Sequence, residues 1–221
     1  MAKKIALSWS GGKDSCMTLK KLVDANYQVI SLLTTVPKEL ERTFAHGEKT
    51  EMIKMQSDSL AIPVHFVRCS FDNYTETFVQ DLIKLKDQYG LDSVAFGDIY
   101  LEGHREWGEN VAAAAGLEAL FPLWCRQQDS LSLLASFVQS GYRAAIIRLR
   151  EDSLDDSWLG KELDNDFLEK IQIETVCPLG ENGEYHTFVY DGPLFQHPVS
   201  FTHGQVFSQD GSKRLEIHPL V

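Results

Sequence analysis

The chain has 221 residues, of which 43% are hydrophobic, and it carries a formal net charge of −11. This length and composition suit a folded protein with a substantial core, built as one domain or as two lobes. The acidic balance argues against a nucleic-acid partner, because affinity for nucleic acid comes largely from Lys and Arg contacts to phosphates.

Membrane and metal-cluster classes are also disfavoured. The sequence has no apolar run of about 18 residues and no apolar segment of the signal-peptide type, so we expect no membrane association and a cytoplasmic location. The cysteines are widely separated and form no C-x-x-C pair, which argues against a structural zinc site or a disulfide framework. They are Cys16, Cys69, Cys125 and Cys177.

The first stretch of the chain predicts a strand, a glycine turn and the start of a helix. Residues 5–7 are apolar, residues 8–15 read Ser-Trp-Ser-Gly-Gly-Lys-Asp-Ser, and helical spacing follows from Cys16. Adjacent glycines let the backbone approach a ligand closely, and the N–H groups of a first helical turn attract phosphate. We therefore expect a phosphate site built from Ser8, Ser10, Gly11, Gly12, Lys13, Asp14 and Ser15.

Asp14 is the unusual member of this turn, because a carboxylate beside phosphate is repulsive unless a cation lies between them. Mg²⁺ prefers carboxylate and phosphate oxygens, so Asp14 is predicted to be a magnesium ligand. The glycine spacing matches neither a Walker A loop nor the dinucleotide fingerprint, which excludes those two classes of phosphate loop.

The first half of the chain alternates apolar runs with segments of helical spacing. Strands are predicted at 5–7, 27–36, 63–67, 93–96 and 120–123, and helices from residue 16, around 52–60, at 75–89 and at 110–115. A polar turn is predicted at 102–106. Strands separated by helices predict an open parallel α/β sheet with helices on both faces.

Ligands of such sheets bind beyond the carboxyl ends of the strands. That edge should receive the glycine turn, Thr34 near the end of the second strand, and Gly97 with Asp98 after the fourth. Asp98 would assist a metal or a ribose, or would only complete a good turn. These segments should therefore converge on one nucleotide site.

Three further side chains near this edge are candidates. Arg105, in the predicted polar turn, would clamp a phosphate, or would pair instead with Glu102 or Glu109. His46 and His104 lie in predicted loops and are weaker candidates for contact with a substrate. For both histidines the alternative is an exposed side chain without a role.

The second half of the chain changes character. It predicts a helix at 131–138, a strand at 142–149, an acidic loop at 151–162, a strand at 186–190 and a hairpin at 205–217 with an Asp-Gly turn. We therefore expect a smaller α+β lobe at 126–221, after a nucleotide-binding lobe at 1–125. No internal repeat and no low-complexity linker separates them.

A polar loop precedes the strand at 186–190. It contains two glycines, at 180 and 183, and two carboxylates, at 181 and 184, and a histidine follows at 186. The expected substrate-binding residues here are Glu181, Asn182, Gly183, Glu184 and His186. The carboxylates would hold a cationic group, or would cap N–H groups of their own loop.

Residues 10–15 resemble the PP-loop of the N-type ATP pyrophosphatases, enzymes that split ATP between its α and β phosphates. Together with residues 97–99, 121–124 and 180–185, they resemble the diphthine–ammonia ligase family of that group. The similarity runs over nearly the whole chain. The resemblance implies a HUP-type, Rossmann-like nucleotide lobe (an adenine nucleotide alpha hydrolase fold). It also implies ATP and Mg²⁺ as ligands, and adenylation of an acceptor carboxylate followed by attack of ammonia or an amine. Lys13, Asp14 and Arg105 are the catalytic candidates on this reading.

Two positions depart from the pattern of the archaeal and eukaryotic members. His186 stands where that pattern has Glu, and Phe121 stands where an acidic residue often precedes Pro-Leu-Trp. Both changes resemble bacterial-type members, so we predict an acceptor other than diphthine. The alternatives left open are a PP-loop tRNA-modifying enzyme and a non-catalytic nucleotide-binding regulator, and the chain is either a monomer or a homodimer.

Overall fold

The computed structural model describes residues 2–44 and 46–220. They form two compact units. The first contains residues 2–10 and 14–124, and the second contains residues 125–220 together with residues 11–13 of the glycine turn. The predicted division into 1–125 and 126–221 stays a prediction.

A parallel five-stranded sheet forms the centre of the first unit. Its strands are β1 (Lys4–Ser8), β2 (Gln28–Pro37), β3 (Val64–Cys69), β4 (Ser93–Ala95) and β5 (Glu118–Leu120). They lie in the order β3-β2-β1-β4-β5. The chain therefore builds one side of the sheet from β1 to β3 and then crosses to the other side of β1, which places the topological switch point between β1 and β4.

Helices connect these strands. They are α1 (Lys13–Asp24), α2 (Thr50–Leu60), α3 (Tyr74–Tyr89) and α4 (Glu102–Ala114). Leu19 of α1 and Met52 of α2 are fully buried, as helical spacing predicts. Phe78 of α3 lies in a core cluster with residues of the sheet, and α3 ends at Gly90, which has a φ of 68°.

The helix α4 corrects one prediction. The segment 102–106 is the start of this helix and not a polar turn, so Arg105 and His104 lie on a helix. Glycine in a helix interior costs about 1 kcal/mol relative to alanine, which made Gly103 look like a turn residue; Gly108 is a second glycine inside this helix. Packing compensates at Gly108, because a Cβ there would lie 2.8 Å from the Phe121 ring.

Two other elements differ from prediction. The strand expected at 120–123 ends at Leu120, because Pro122 has no N–H with which to continue a ladder. The sequence analysis did not predict the helix at Asn165–Ile171, which lies beyond the predicted acidic loop.

The second unit contains an antiparallel four-stranded sheet and two helices. The helices are α5 (Ser130–Gln139) and α6 (Asn165–Ile171), and the strands are β6 (Arg143–Arg150), β7 (Tyr185–Asp191), β8 (Phe201–Gln209) and β9 (Ser212–Pro219). The strand order is β7-β6-β9-β8. Asp164 caps α6 by accepting a hydrogen bond from the N–H of Phe167, 2.9 Å away.

The predicted fold class is confirmed: a Rossmann-like parallel α/β sheet is followed by a smaller α+β lobe. The predicted Asp-Gly hairpin turn between β8 and β9 is also present, with positive φ at both Asp210 and Gly211. Within residues 2–44 and 46–220, no helix has the length and apolar character needed to cross a membrane.

Candidate nucleotide site

The turn between β1 and α1 has the backbone geometry of a phosphate site. Gly11 has a φ of 79°, in the left-handed region that glycine adopts without a Cβ penalty. The helix begins at Lys13, so the N–H groups of its first turn and the positive end of its dipole lie at this turn. The local sequence therefore produces a helix terminus of the kind that attracts anions.

Contacts inside the first unit hold the start of this turn. The backbone N–H of Trp9 donates to the carbonyl of Leu33 at 2.7 Å, and the Thr34 hydroxyl donates to the carbonyl of Trp9 at 2.7 Å. The indole N–H of Trp9 donates to the side chain of Gln56 at 3.0 Å, and both residues are buried. Thr34, predicted to meet the nucleotide, thus uses its hydroxyl to position the loop.

Gly97 packs directly against the first turn of α1. A Cβ placed on Gly97 would lie 3.3 Å from the backbone carbon of Asp14 and 3.4 Å from the N–H nitrogen of Ser15. A side chain here would require the backbone of Asp14 and Ser15 to shift by a few tenths of an ångström, so glycine suits this close approach. The approach occurs at the switch point between β1 and β4, where ligands of open α/β sheets bind.

Gly97→Ala should therefore lower activity several-fold, because the added methyl group displaces the backbone of Asp14 and Ser15. Gly103→Ala is the matched control, since a Cβ at this exposed helical position meets no atom within 4 Å. Alanine in a helix is favoured over glycine, so the control should keep full activity and raise the melting temperature. Equal activities of the two variants would contradict the close-approach role of Gly97.

The next three residues of the turn make their contacts within the second unit. The backbone N–H of Lys13 donates to the Thr187 hydroxyl at 3.0 Å, and the N–H of Val189 donates to the carbonyl of Gly11 at 2.9 Å. The Lys13 ammonium lies 5.0 Å from the centroid of the Tyr185 ring. Lys13, Tyr185 and Thr187 are all buried, so these contacts are shielded from solvent.

Glu184 shapes the polar loop that leads into β7. Its carboxylate accepts hydrogen bonds from the N–H of Cys177 at 3.0 Å and from the N–H of Asn182 at 2.9 Å, and a third from the Asn182 side chain. Burial by itself raises the pKa of the Glu184 carboxyl, but these hydrogen bonds outweigh burial and lower that pKa below its ordinary value. This is the capping alternative that the sequence left open, and acceptor contact stays a prediction for Glu184.

His186 lies on the other face of β7 from the residues that touch the glycine turn. Side chains alternate along a strand, so His186 points away from the face that carries Tyr185 and Thr187. Its Cα partner on β6 is Arg148. Glu181 is half-buried and Asn182 is exposed in the preceding loop. Gly183 has a φ of 81°, which a turn of this shape requires.

Arg105 stacks on aromatic rings in the first unit. Its guanidinium carbon lies 5.0 Å from the centroid of the Trp124 ring and 6.0 Å from that of Phe121, and its Nε donates to Glu109 at 2.9 Å. The pairing with Glu109 is thus present, and the phosphate-clamp role stays a prediction. Phe121 in turn stacks on Phe96, with a centroid distance of 5.4 Å.

The remaining predicted site residues lie near the ends of β1, β2 and β4. Asp98 pairs with His104 of α4, with 3.0 Å between the carboxylate and Nδ1. The Ser10 and Ser15 hydroxyls lie 3.5 Å apart, and Ser8 ends β1. His46 is half-buried in a turn after β2.

Sequence reasoning did not single out Gln56, which accepts the indole hydrogen bond of Trp9, and it gave Thr187 no role at the glycine turn. No spacing rule could have found Thr187, because 174 positions separate it from Lys13. The only signal in the sequence for a role of Thr187 was its hydroxyl group within a predominantly apolar strand.

Both halves of the chain match models of known protein families. A family model described as the diphthamide synthase N-terminal domain matches residues 2–119, and one described as the C-terminal domain matches residues 129–216. Proteins named diphthine–ammonia ligase are similar over most of the chain. Those of Bos taurus and Homo sapiens are each 29% identical, over 89% of this chain and 82% of their own length. That of Danio rerio is 30% identical over 86% of this chain and 83% of its own.

The resemblance predicted from the four sequence motifs is confirmed by these matches. Ligases couple bond formation to the cleavage of a nucleoside triphosphate, which agrees with the phosphate site predicted at the glycine turn. The chain therefore belongs to the diphthamide synthase family, and it is an ATP-dependent enzyme of the C–N ligase class.

Proposed function

We propose that this enzyme cleaves ATP to AMP and pyrophosphate in order to adenylate an acceptor carboxylate, which ammonia or an amine then converts to an amide. The proposal rests on the turn between β1 and α1. Its glycine geometry, helix terminus and buried Lys13 together suit a polyphosphate, and its spacing is not that of a Walker A loop.

The chemistry balances in two steps. A carboxylate oxygen attacks the α-phosphorus of ATP, the bond from that phosphorus to the bridging oxygen breaks, and pyrophosphate leaves. The nitrogen donor then attacks the acyl carbon, AMP leaves with the electron pair of the C–O bond, and the nitrogen loses a proton to solvent. Adenylation is needed because a free carboxylate has a poor leaving group.

In this reaction the N-terminal turn of α1 and the Lys13 ammonium stabilise the negative charge that develops on the departing pyrophosphate. The hydroxyls of Ser8, Ser10 and Ser15 and the backbone of Gly11 and Gly12 complete the phosphate contacts. Gly97 and Asp98 contribute the end of β4, and Arg105 would add a guanidinium to a phosphate or to the acceptor.

Among the described residues, the thiol nearest to the turn is not an activated nucleophile, which agrees with direct transfer to the acceptor. Cys16 is the nearest thiol in sequence, and it is fully buried. Burial, assisted by the charge of Asp14, raises the pKa of the Cys16 thiol well above its ordinary value, so it remains protonated at neutral pH.

The donor chemistry of the turn also fits Mg²⁺. Asp14, in the first turn of α1, offers the hard carboxylate oxygens that Mg²⁺ takes beside phosphate oxygens. Magnesium, when bound, neutralises part of the triphosphate charge. Asp14 would hold it, and the α1 terminus would orient the phosphates.

Asp14→Asn should abolish magnesium-dependent turnover while nucleotide binding without magnesium persists, because the amide keeps the size of the side chain but loses its charge. Asp24→Asn, in the exposed last turn of the same helix, is the matched control and should behave like wild type. The measurement is the magnesium concentration dependence of pyrophosphate release. An unchanged dependence in Asp14→Asn would remove the proposed metal role.

For the acceptor, we propose that it binds beside the loop at 180–184, where Glu181 and Asn182 would contact its cationic or polar groups. His46, in the first unit, stays a predicted substrate contact. The relatives are named for diphthine and ammonia, which makes diphthine the first acceptor to test. His186 would influence acceptor choice only from the β7 face that points away from Lys13. The cytoplasm stays the predicted compartment.

The decisive experiment follows the acceptor oxygen. The enzyme is incubated with Mg-ATP, ammonia and an acceptor whose carboxylate is labelled with ¹⁸O, and the nucleotide products are resolved by mass spectrometry. The proposal expects AMP that carries one ¹⁸O atom, with stoichiometric pyrophosphate. ADP and phosphate as the main products, or AMP without the label, would refute it.

A further inference from the structure

The aromatic ring of Tyr185 is held from three sides within the second unit. Its hydroxyl donates a hydrogen bond to the carbonyl of Pro178 at 2.6 Å. The ring packs on Gly180, where a Cβ would lie 2.9 Å from each of two ring carbons. It also meets the ring of Phe167 edge to face, with 5.6 Å between the centroids. Because Tyr185 is buried as well, its ring is fixed in one orientation.

Lys13 is held at both of its ends by the face of β7 that carries this ring. Its backbone N–H donates to the Thr187 hydroxyl at 3.0 Å, and its ammonium lies 5.0 Å from the centroid of the Tyr185 ring. Tyr185 and Thr187 are two positions apart on the strand, which corresponds to about 6.6 Å. The side chain of Lys13 therefore runs along β7 and ends at the ring.

An aromatic ring is a suitable support for an ammonium that has to meet phosphate. Lys13 is only 3% exposed, and a buried ammonium that has lost its water needs a compensating partner. The face of the ring attracts the cation through its quadrupole. It carries no full negative charge, so a phosphate does not have to displace an anion at this contact.

We propose that Tyr185 is a positioning residue, whose ring holds the Lys13 ammonium in the place where it meets the pyrophosphate group of ATP. The inference rests on the proposed cleavage of ATP to AMP and pyrophosphate, in which Lys13 stabilises the departing group. It gives the loop at 180–184 a second role beside acceptor binding. Gly180 at the start of the loop supports the ring, and Glu184 caps the loop directly before Tyr185.

The test measures the binding of inorganic pyrophosphate with Mg²⁺ by calorimetry, which requires no acceptor. Tyr185→Leu should raise the dissociation constant by about tenfold to thirtyfold, the effect of losing a cation–π contact that is shielded from solvent. Tyr185→Phe keeps the ring and should bind pyrophosphate like wild type. In a Lys13→Ala background, Tyr185→Leu should have no further effect, because the ring acts only through the ammonium.

Phe137→Leu is the matched control, because Phe137 is a fully buried ring of the same unit that stacks on Tyr142. It should lower the melting temperature without changing the affinity for pyrophosphate. Gly180→Ala is a second variant, which keeps the ring of Tyr185 but displaces it with a methyl group. It should weaken pyrophosphate binding several-fold.

Two results would overturn the positioning role. One is the same affinity for pyrophosphate in Tyr185→Leu and Gly180→Ala as in Phe137→Leu. The other is an equally large loss from Tyr185→Leu in the Lys13→Ala background, since the ring would then act independently of the ammonium. Neither result would contradict the proposed cleavage of ATP, which the ¹⁸O experiment tests separately through its nucleotide products.

Discussion

Lys13→Ala should reduce the rate of AMP and pyrophosphate formation by about a hundredfold to a thousandfold, which is the usual cost of removing one preorganised group that stabilises transition-state charge. The substitution removes the ammonium but keeps the backbone N–H that donates to Thr187. The fold of the turn is therefore retained, and the loss should appear in kcat more than in the melting temperature.

Lys20→Ala is the control for this experiment. Lys20 lies on the same helix, pairs with Asp24 at the surface, and has no place in the proposed reaction. Its turnover should match that of wild type. A Lys13→Ala enzyme that keeps full pyrophosphate release would show that the phosphate turn is not the catalytic site.

Thr187→Val should weaken ATP binding by about tenfold to a hundredfold. Valine has the shape of threonine but cannot accept a hydrogen bond, so the Lys13 N–H loses its hydroxyl partner in a buried environment. An unsatisfied buried N–H costs about 1–3 kcal/mol, and the turn would avoid this cost by leaving the conformation that we propose binds phosphate. The measurement is the dissociation constant for ATP by calorimetry.

Thr187→Ser separates positioning from packing. Serine keeps the hydroxyl and loses the methyl group, so it should restore ATP binding even if it lowers the melting temperature. If Thr187→Ser and Thr187→Val lose ATP affinity equally, the hydroxyl has no positioning role and Thr187 acts only through packing.

A coupling between substrates follows from the place of Thr187 in the chain. The strand β7 begins directly after the loop that Glu184 caps, and it contacts the glycine turn through Tyr185, Thr187 and Val189. If that loop binds the acceptor, as we propose, the acceptor and ATP are connected through only a few strand residues. ATP would then bind more tightly in the presence of the acceptor.

Much of the fold was predictable because its signals are local. The alternation of apolar runs with helical spacing predicted a parallel α/β sheet, and the helix end at Gly90 and the hairpin turn at Asp210 and Gly211 were also predicted. In each case a positive φ or a periodic burial pattern is decided within a few residues. The glycine turn itself belongs to this class, since Gly11 and the start of α1 are adjacent in sequence.

Tertiary structure alone decided the features that depend on distant partners. Gly108 sits inside α4, against its intrinsic preference, because the Phe121 ring occupies the space that a side chain would need. The face of His186 follows from the alternation of β7 once Tyr185 and Thr187 turn toward Lys13. The sequence by itself determined the family and the fold class, and it predicted a phosphate site at the glycine turn. The hydroxyl that holds that turn became visible only in the fold, because a hydrogen bond across 174 positions leaves no trace in local composition or periodicity.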